Sequence, residues 1–226
     1  MSQQRYTAVR TSLRTAGIMV LFTTAFTALM AATYGATRPL IRASEEEARM
    51  RLINEVLTPG SYDNALLDDS IMVGQTPLLG LDSGGRIYRA RRAGEPSALV
   101  IEAVAPDGYA GRIQLVVAVG ADGRLTGVRV VGHKETPGLG DYIDPRKDRN
   151  KDKPWIAQFV GASLDPEHAA QWKVKRDGGA FDYRVGATIS ARAVTEATGR
   201  VLQYVRDNRE ALFAAERGTR FEGKQS

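Results

Sequence analysis

Hydrophobic spacing divides the chain into three regimes. From Thr15 to Thr37 there is no charged residue, and Ile18, Met19, Val20, Leu21, Phe22, Phe26, Leu29 and Met30 leave no polar face on a helix. As a helix these 23 residues span roughly 34 Å, enough to cross a hydrocarbon core of about 30 Å. The threonines within it can bond back to a carbonyl one turn earlier, which makes them tolerable in lipid. Tyr34 suits an interfacial position. The run is longer than a signal peptide's apolar region and no clean Ala-x-Ala site follows it, so it predicts a retained membrane anchor. After Pro39, Ala48, Leu52, Ile53, Val56 and Leu57 recur at helical spacing between Glu45 and Leu57, which predicts a stalk helix ended by Pro59-Gly60.

Strand signals then take over. Arg86–Arg92, Ala98–Ala105, Gly111–Val119 and Leu125–Val131 are rich in Val, Ile and Leu, and Pro106-Asp107-Gly108 and Asp122-Gly123 mark turns between them. Such short connections exclude parallel crossovers, so these runs predict an antiparallel meander. Gly132–Lys153 is a long loop, functional or disordered. Trp155–Val160 reads as a short helix and Gln171–Lys175 as a further strand. Helical spacing returns from Ser190 to Phe213, with Val194, Ala197, Val201 and Val205 set to face the sheet. The fold class is therefore α+β: a single N-terminal transmembrane helix, then a domain with a mainly antiparallel sheet and flanking helices. The expected segments are an N-terminal arm (1–14), the span (15–37), the stalk and linker (38–70), the domain (71–215) and a polar tail (216–226).

Charge adds an orientation. Arg5, Arg10 and Arg14 precede the span without an acid, whereas Arg38 and Arg42 follow it and lead into Glu45, Glu46 and Glu47. Three arginines against two favour the N-terminus inside and, in a bacterium, the domain in the periplasm. The net charge is +5. The absence of cysteine excludes disulfides, thiolate-held metal clusters and a thiol nucleophile. His133 and His168 leave little room for a histidine-rich metal site, and no metal is expected.

Most motifs with a known mechanism are absent. Gly138-Leu139-Gly140 starts a dinucleotide fingerprint that Ile143 does not complete, and the only Gly-Lys pair, Gly223-Lys224, lies in the tail. Asp82-Ser83-Gly84-Gly85 resembles a protease serine region, but a serine alone gives no base within reach and the run reads as a polar turn before the strand at Arg86. Arg146–Lys153 alternates basic residues with Asp148 and Asp152 and has no interleaved aromatics, so it reads as a solvated loop and no nucleic-acid partner is expected. No catalytic residue stands out.

Two segments remain. His133-Lys134-Glu135-Thr136-Pro137-Gly138-Leu139-Gly140-Asp141 leaves a strand, and Asp182-Tyr183-Arg184-Val185-Gly186-Ala187-Thr188-Ile189-Ser190 enters a helix. A helix N-terminus offers free N–H groups and a positive dipole end, which suit a phosphate. Gly186 and Ala187 permit close approach, and Thr188 puts a hydroxyl where that phosphate would lie. The competing reading is that Thr188 or Ser190 is simply an N-cap.

Asp182-x-x-x-Val185-Gly186-Ala187-Thr188 resembles the signature of covalent FMN-binding domains, Asp-x-x-x-(Ser/Thr)-Gly-Ala-Thr, with Val185 at the usual Ser/Thr position. Glu135-Thr136-Pro137-Gly138-Leu139-Gly140 is the second hallmark of that family. With the anchor, Tyr62-Asp63-Asn64 and Gly178-Gly179-x-Phe181-Asp182, the order of motifs is similar to that of the G subunits of Rnf ion-translocating electron-transport complexes. The resemblance implies FMN joined by a phosphoester to Thr188, and a flavin transferase that attaches it from FAD with a divalent metal. It implies that Gly186, Ala187 and Ser190 line the phosphate end and that the Glu135–Gly140 loop packs over ring or phosphate. Asp182 would order the turn or be read by the transferase. It also implies the other proteins of the Rnf complex as partners and a role in a translocase, relaying electrons with no turnover of its own. The uncharged span leaves ion conduction to those partners. A weaker resemblance is to the C subunits of sodium-pumping NADH:quinone reductases; the competing class is a non-redox membrane-anchored scaffold subunit, which the anchor, strands and long helix fit equally well.

Overall fold

A computed structural model describes residues 2–223; the side chains of residues 2–8 and 166–168, including Arg5 and His168, and residues 1 and 224–226, including Lys224, lie outside the described set. Two compact units meet between Arg49 and Met50.

Helix α1 (Ser2–Asn54) contains the predicted span, and it is the one helix among the described residues long and apolar enough to cross a membrane. Its apolar side chains are exposed within the chain, so their solvent is lipid or another helix. Thr23, Thr33 and Thr37 donate to the carbonyls of Met19, Leu29 and Thr33 at 2.8, 2.9 and 2.9 Å. Arg38 lies over the Tyr34 ring, 5.7 Å from its centre, a pairing suited to the membrane–water boundary. Pro39 lies inside this helix, so the span and the start of the stalk form one helix that runs to Asn54. Proline's ring presses on the carbonyl four residues back. That residue is Gly35.

In the second unit a six-stranded sheet has the order β5-β4-β3-β2-β1-β6. Its strands are β1 (Ser70–Val73), β2 (Gly85–Arg92), β3 (Glu95–Gly108), β4 (Gly111–Gly120), β5 (Leu125–Gly132) and β6 (Arg220–Phe221). The β2–β5 meander is antiparallel, as its short turns require. Helix α2 (Thr188–Ala214) covers one face, with Val194, Ala197, Val201 and Val205 buried among Leu99, Ile101, Leu115 and Val117. On the other face Ile53, Val56, Leu57 and Leu66 pack on Tyr88, Ala90, Val100 and Ala118. The end of the stalk segment is thus part of the domain's second core.

Three expectations need correction. Residues 216–226 are not wholly a tail, because Arg220 and Phe221 pair in parallel with Met72 and Val73. The strand at Gln171–Lys175 is absent. Trp172 and Val174 are buried in alternation as a strand's would be, but the chain forms 3-10 turns at Pro166–Gln171 and Lys175–Asp177 and only a single bridge, Val174 to Phe181. The run Arg146–Lys153 is not simply solvated, since Asp148 is fully buried. Ser83 lies in the polar turn that precedes β2.

An ion cluster sets the position of α2. Arg89 in β2 is buried, and its guanidinium meets Asp69 at 2.6 Å. The same guanidinium donates to the carbonyls of Leu212 and Phe213 at 3.2 and 3.3 Å and to that of Ala215. Those carbonyls end α2 and have no partners in the helix, and a cation there also complements the helix dipole. Asn64 bonds the Arg89 carbonyl at 2.9 Å and Asp69 at 3.3 Å, which gives the Tyr62-Asp63-Asn64 segment a structural role.

Candidate functional site

The two segments singled out from the sequence meet at the N-terminus of α2. They enclose a cavity of about 290 Å³ lined by Glu135, Thr136, Leu139, Gly140, Gly186, Ala187, Thr188, Ile189, Ser190 and Tyr109. Tyr109, from the turn between β3 and β4, and Ile189 were not expected. The signal for Tyr109 was an aromatic at a hairpin tip, where burial does not account for it. Pro137, Gly138 and Asp182 do not line the cavity.

The first segment enters from β5. Its Gly140 N–H and Leu139 N–H both bond the Thr136 carbonyl at 3.1 Å, and the Gly138 N–H bonds Asp141 at 2.9 Å. The loop is therefore ordered and not disordered. Glu135 is turned inward: one carboxylate oxygen accepts the Ala110 N–H at 3.0 Å and the other the Ser190 hydroxyl. Gly140 is required there, because a Cβ would stand 2.6 Å from the Ser190 hydroxyl and 3.0 Å from Glu135. Gly140→Val is expected to break that contact and destabilise the domain by about 1–3 kcal/mol. Thermal unfolding with and without FMN loading tests this, and a wild-type melting temperature would remove the packing argument.

The second segment is held from behind. Asp148 accepts the Trp155 N–H at 2.7 Å, the Asn150 N–H at 3.0 Å and the Arg184 guanidinium. Arg184 lies over the Tyr142 ring, 4.4 Å from its centre, and its backbone N–H donates to the Tyr142 hydroxyl at 3.1 Å. Trp155 donates from its indole to the Asp182 carbonyl at 2.6 Å, while the Asp182 N–H bonds Gln158 at 2.7 Å. The Asp182 carboxylate points outward and pairs with Lys175 at 2.5 Å. Aromatic packing of Tyr142, Trp155, Phe159, Phe181 and Trp172 backs this framework.

Burial works most strongly against the Asp148 charge, yet the N–H groups of Trp155 and Asn150 and the Arg184 guanidinium together hold its carboxyl below the usual range. A depressed folded-state pKa stabilises the fold above the unfolded carboxylate value of about 3.9, and that stability is lost as pH falls through the folded value. Asp148→Asn is expected to cost about 1–3 kcal/mol at neutral pH and to flatten the acid limb of a melting-temperature profile. An unchanged acid limb would refute the assignment.

The turn reaches the helix through Gly186, whose φ of +88° favours glycine. The N-cap residue is Ala187, which makes no side-chain cap hydrogen bond. Thr188 is thus the first helical residue, and neither it nor Ser190 serves as the N-cap. The Thr188 side chain is buried at the cavity wall, and its hydroxyl oxygen accepts only a long bond, 3.4 Å, from Arg176. The Thr188 hydroxyl stands at the start of a 27-residue helix, whose first N–H groups have no intrahelical partners, with the Arg176 guanidinium beside it, a donor set suited to a phosphoryl group. Further along, the apolar Leu139, Ile189 and Tyr109 are exposed at the rim and fit a flat aromatic ring. Val185 is 91% exposed, so its side chain contributes nothing to the cavity.

Comparison with known proteins decides the family. Residues 108–203 match the FMN-binding domain family and residues 1–56 the RnfG N-terminal region. The G subunit of the ion-translocating oxidoreductase complex of Pseudomonas aeruginosa is 47% identical over 207 residues, covering 92% of this chain and 94% of the relative. The protein of the same name from Pseudoalteromonas atlantica is 44% identical, with 88% and 90% covered, and that from Shewanella loihica 39%, with 90% and 94% covered. The chain belongs to the RnfG family. The FMN-binding match begins at Gly108, beside Tyr109, and ends within α2, so it contains every residue that lines the cavity.

Proposed function

We propose that this RnfG-family chain carries FMN esterified through its phosphate to Thr188 and relays electrons as the membrane-anchored flavoprotein of an ion-translocating oxidoreductase complex. The observation that carries the reading is the Thr188 hydroxyl, buried in the cavity between the two hallmark segments and not used as a helix cap. The donor set fits the phosphate end, with Gly186, Ala187 and Ser190 beside it, and Leu139, Ile189 and Tyr109 fit the ring. FMN supplies one- and two-electron transfer, while the protein holds and orients it. Glu135, Thr136 and Gly140 form the cavity wall on the first segment; Pro137 and Gly138 shape the loop behind it.

A flavin transferase using FAD attaches the group. The exposed Asp182 and Val185 lie where such an enzyme would read the turn, and Gly186 makes that turn accessible. Purified full-length chain, co-produced with the transferase and denatured in SDS, is expected to show in-gel flavin fluorescence. The peptide containing Thr188 should gain the mass of FMN less water. Colourless chain of unmodified mass would refute the reading.

The same reading places residues 1–14 in the cytoplasm and the domain in the periplasm, with the other proteins of the complex as partners. The cysteine-free sequence makes this testable. With Lys151→Cys, at an exposed position, the chain is expected to react with a membrane-impermeant maleimide added from the periplasmic side of intact inner membranes. Labelling only after the inner membrane is opened would reverse the orientation.

A further inference from the structure

We infer that Arg176 is the phosphate-orienting residue of the Thr188 site, pairing its guanidinium with the phosphoryl group that Thr188 receives; this rests on the covalent reading above. The cations around the site sort themselves by partner. Arg184 is held by Asp148 and by the Tyr142 ring. Lys175 is held by Asp182 at 2.5 Å, and Arg192 takes both oxygens of Asp177 at 2.6 and 2.9 Å. The Arg192 hydrogen bonds, with smaller contributions from the nearby Arg176 and Lys173 charges, hold the Asp177 carboxyl below the usual carboxylate range, and the two Asp177 oxygens are occupied by Arg192 and not by Arg176. Among the described residues Arg176 has no ion pair within 4 Å, and its Nη1 donates to the Thr188 hydroxyl oxygen at 3.4 Å. A planar fork of donors with no contact ion pair, beside the hydroxyl that receives the phosphoryl group, is suited to non-bridging phosphate oxygens.

The local fold is built to put it there. The Lys175–Asp177 turn ends at Gly178, whose φ is +83°. Gly179 follows, and a Cβ on it would stand 2.0 Å from the Lys173 carbonyl oxygen. The chain can double back so tightly only with glycine at that position, and the bridge from Val174 to Phe181 closes the turn. Gly178-Gly179 thus acts at a distance, holding the loop that carries Arg176 against the first turn of α2.

In the attachment step the Thr188 oxygen forms a bond to the FMN-side phosphorus of FAD. The pyrophosphate P–O bond breaks, AMP leaves with that electron pair, and the hydroxyl proton passes to the transferase or to water. Threonine and FAD become the phosphodiester, AMP and a proton. Negative charge is redistributed over the non-bridging oxygens throughout, and the product keeps one negative charge beside Arg176.

The test uses full-length chain in detergent, prepared without flavin, with purified flavin transferase, FAD and magnesium, read by in-gel fluorescence and intact mass over time. Arg176→Ala and Arg176→Gln are each expected to slow labelling about tenfold or more, as loss of one preorganised donor does. Arg176→Lys should recover part of the rate, because it restores charge without the fork. Added guanidinium, but not equal sodium chloride, should partly restore Arg176→Ala, which a purely structural role would not produce. Wild-type rates in both Arg176→Ala and Arg176→Gln would overturn the inference while leaving Thr188 as the attachment point. Wild-type chain that never gains flavin would overturn both.

Discussion

Thr188→Ala is expected to leave the chain folded, membrane-bound and without covalent flavin. The loss should be complete, because Thr188 is the hydroxyl residue that opens α2 and its neighbour in that turn is not available. Ser190, two residues on, is buried with its hydroxyl committed to the Glu135 carboxylate. Stability should change little. The Thr188 hydroxyl caps nothing, and its one hydrogen bond, 3.4 Å from Arg176, is at the long limit of such contacts. Alanine is also the better helix former. The expected shift in folding free energy is within about 1 kcal/mol. In-gel fluorescence and intact mass read the attachment, and Trp155 and Trp172 emission reads the fold. Thr188→Ser, which keeps an oxygen nucleophile, should retain labelling at a reduced rate. Fluorescent, mass-shifted Thr188→Ala would show that the flavin is attached elsewhere.

Arg89→Met is expected to produce the largest loss of stability. Arg89 and Asp69 side chains are each 2% exposed. Removing one partner of a buried pair leaves an uncompensated charge, at a cost of about 3–5 kcal/mol. Asp69 would retain Arg91 at 3.0 Å and the more distant Arg217 at 3.8 Å, which favours the lower end of that range. The carbonyls of Leu212, Phe213 and Ala215 would lose their shared donor at the same time. At about 2–4 °C per kcal/mol for a domain of this size, the melting temperature should fall by roughly 6–16 °C. Scanning the full chain in detergent, with tryptophan emission as the probe, measures it. A fall of only a degree or two would mean that the cluster does not anchor the C-terminal end of α2.

The two predictions probe opposite ends of one helix. Arg89 secures α2 at its C-terminus, and the N-terminus of the same helix presents Thr188 to the cavity. A domain weakened at Arg89 should therefore also load flavin poorly, whereas a domain altered at Thr188 should remain stable.

Much of this was legible along the chain. The uncharged run Thr15–Thr37 is apolar all round, the Val, Ile and Leu runs of β2 to β5 are buried on both faces of the sheet, and the 3.6-residue spacing of Val194, Ala197, Val201 and Val205 reflects burial on one side of a helix, so each pattern shows along the chain. Thr188 and Glu135 were legible as parts of local motifs. What stayed hidden depends on neighbours distant in sequence. β1 has only four residues and β6 only two, too few to display a period; β1 is strand because it pairs with β2, and β6 because it pairs with β1.

The sequence alone thus determined the anchor, the antiparallel meander, the long C-terminal helix and the two segments that meet at the site, because local spacing and turn chemistry suffice for these. Tertiary structure alone decided that Asp148 and Arg89 are buried ions, that Tyr109 joins the cavity wall, that the Thr188 hydroxyl is not a cap, and that Arg176 is the cation left facing it. Each of those is a question of which charge or donor finds which partner. The partners lie tens of residues apart in most cases, where no periodicity along the chain can connect them.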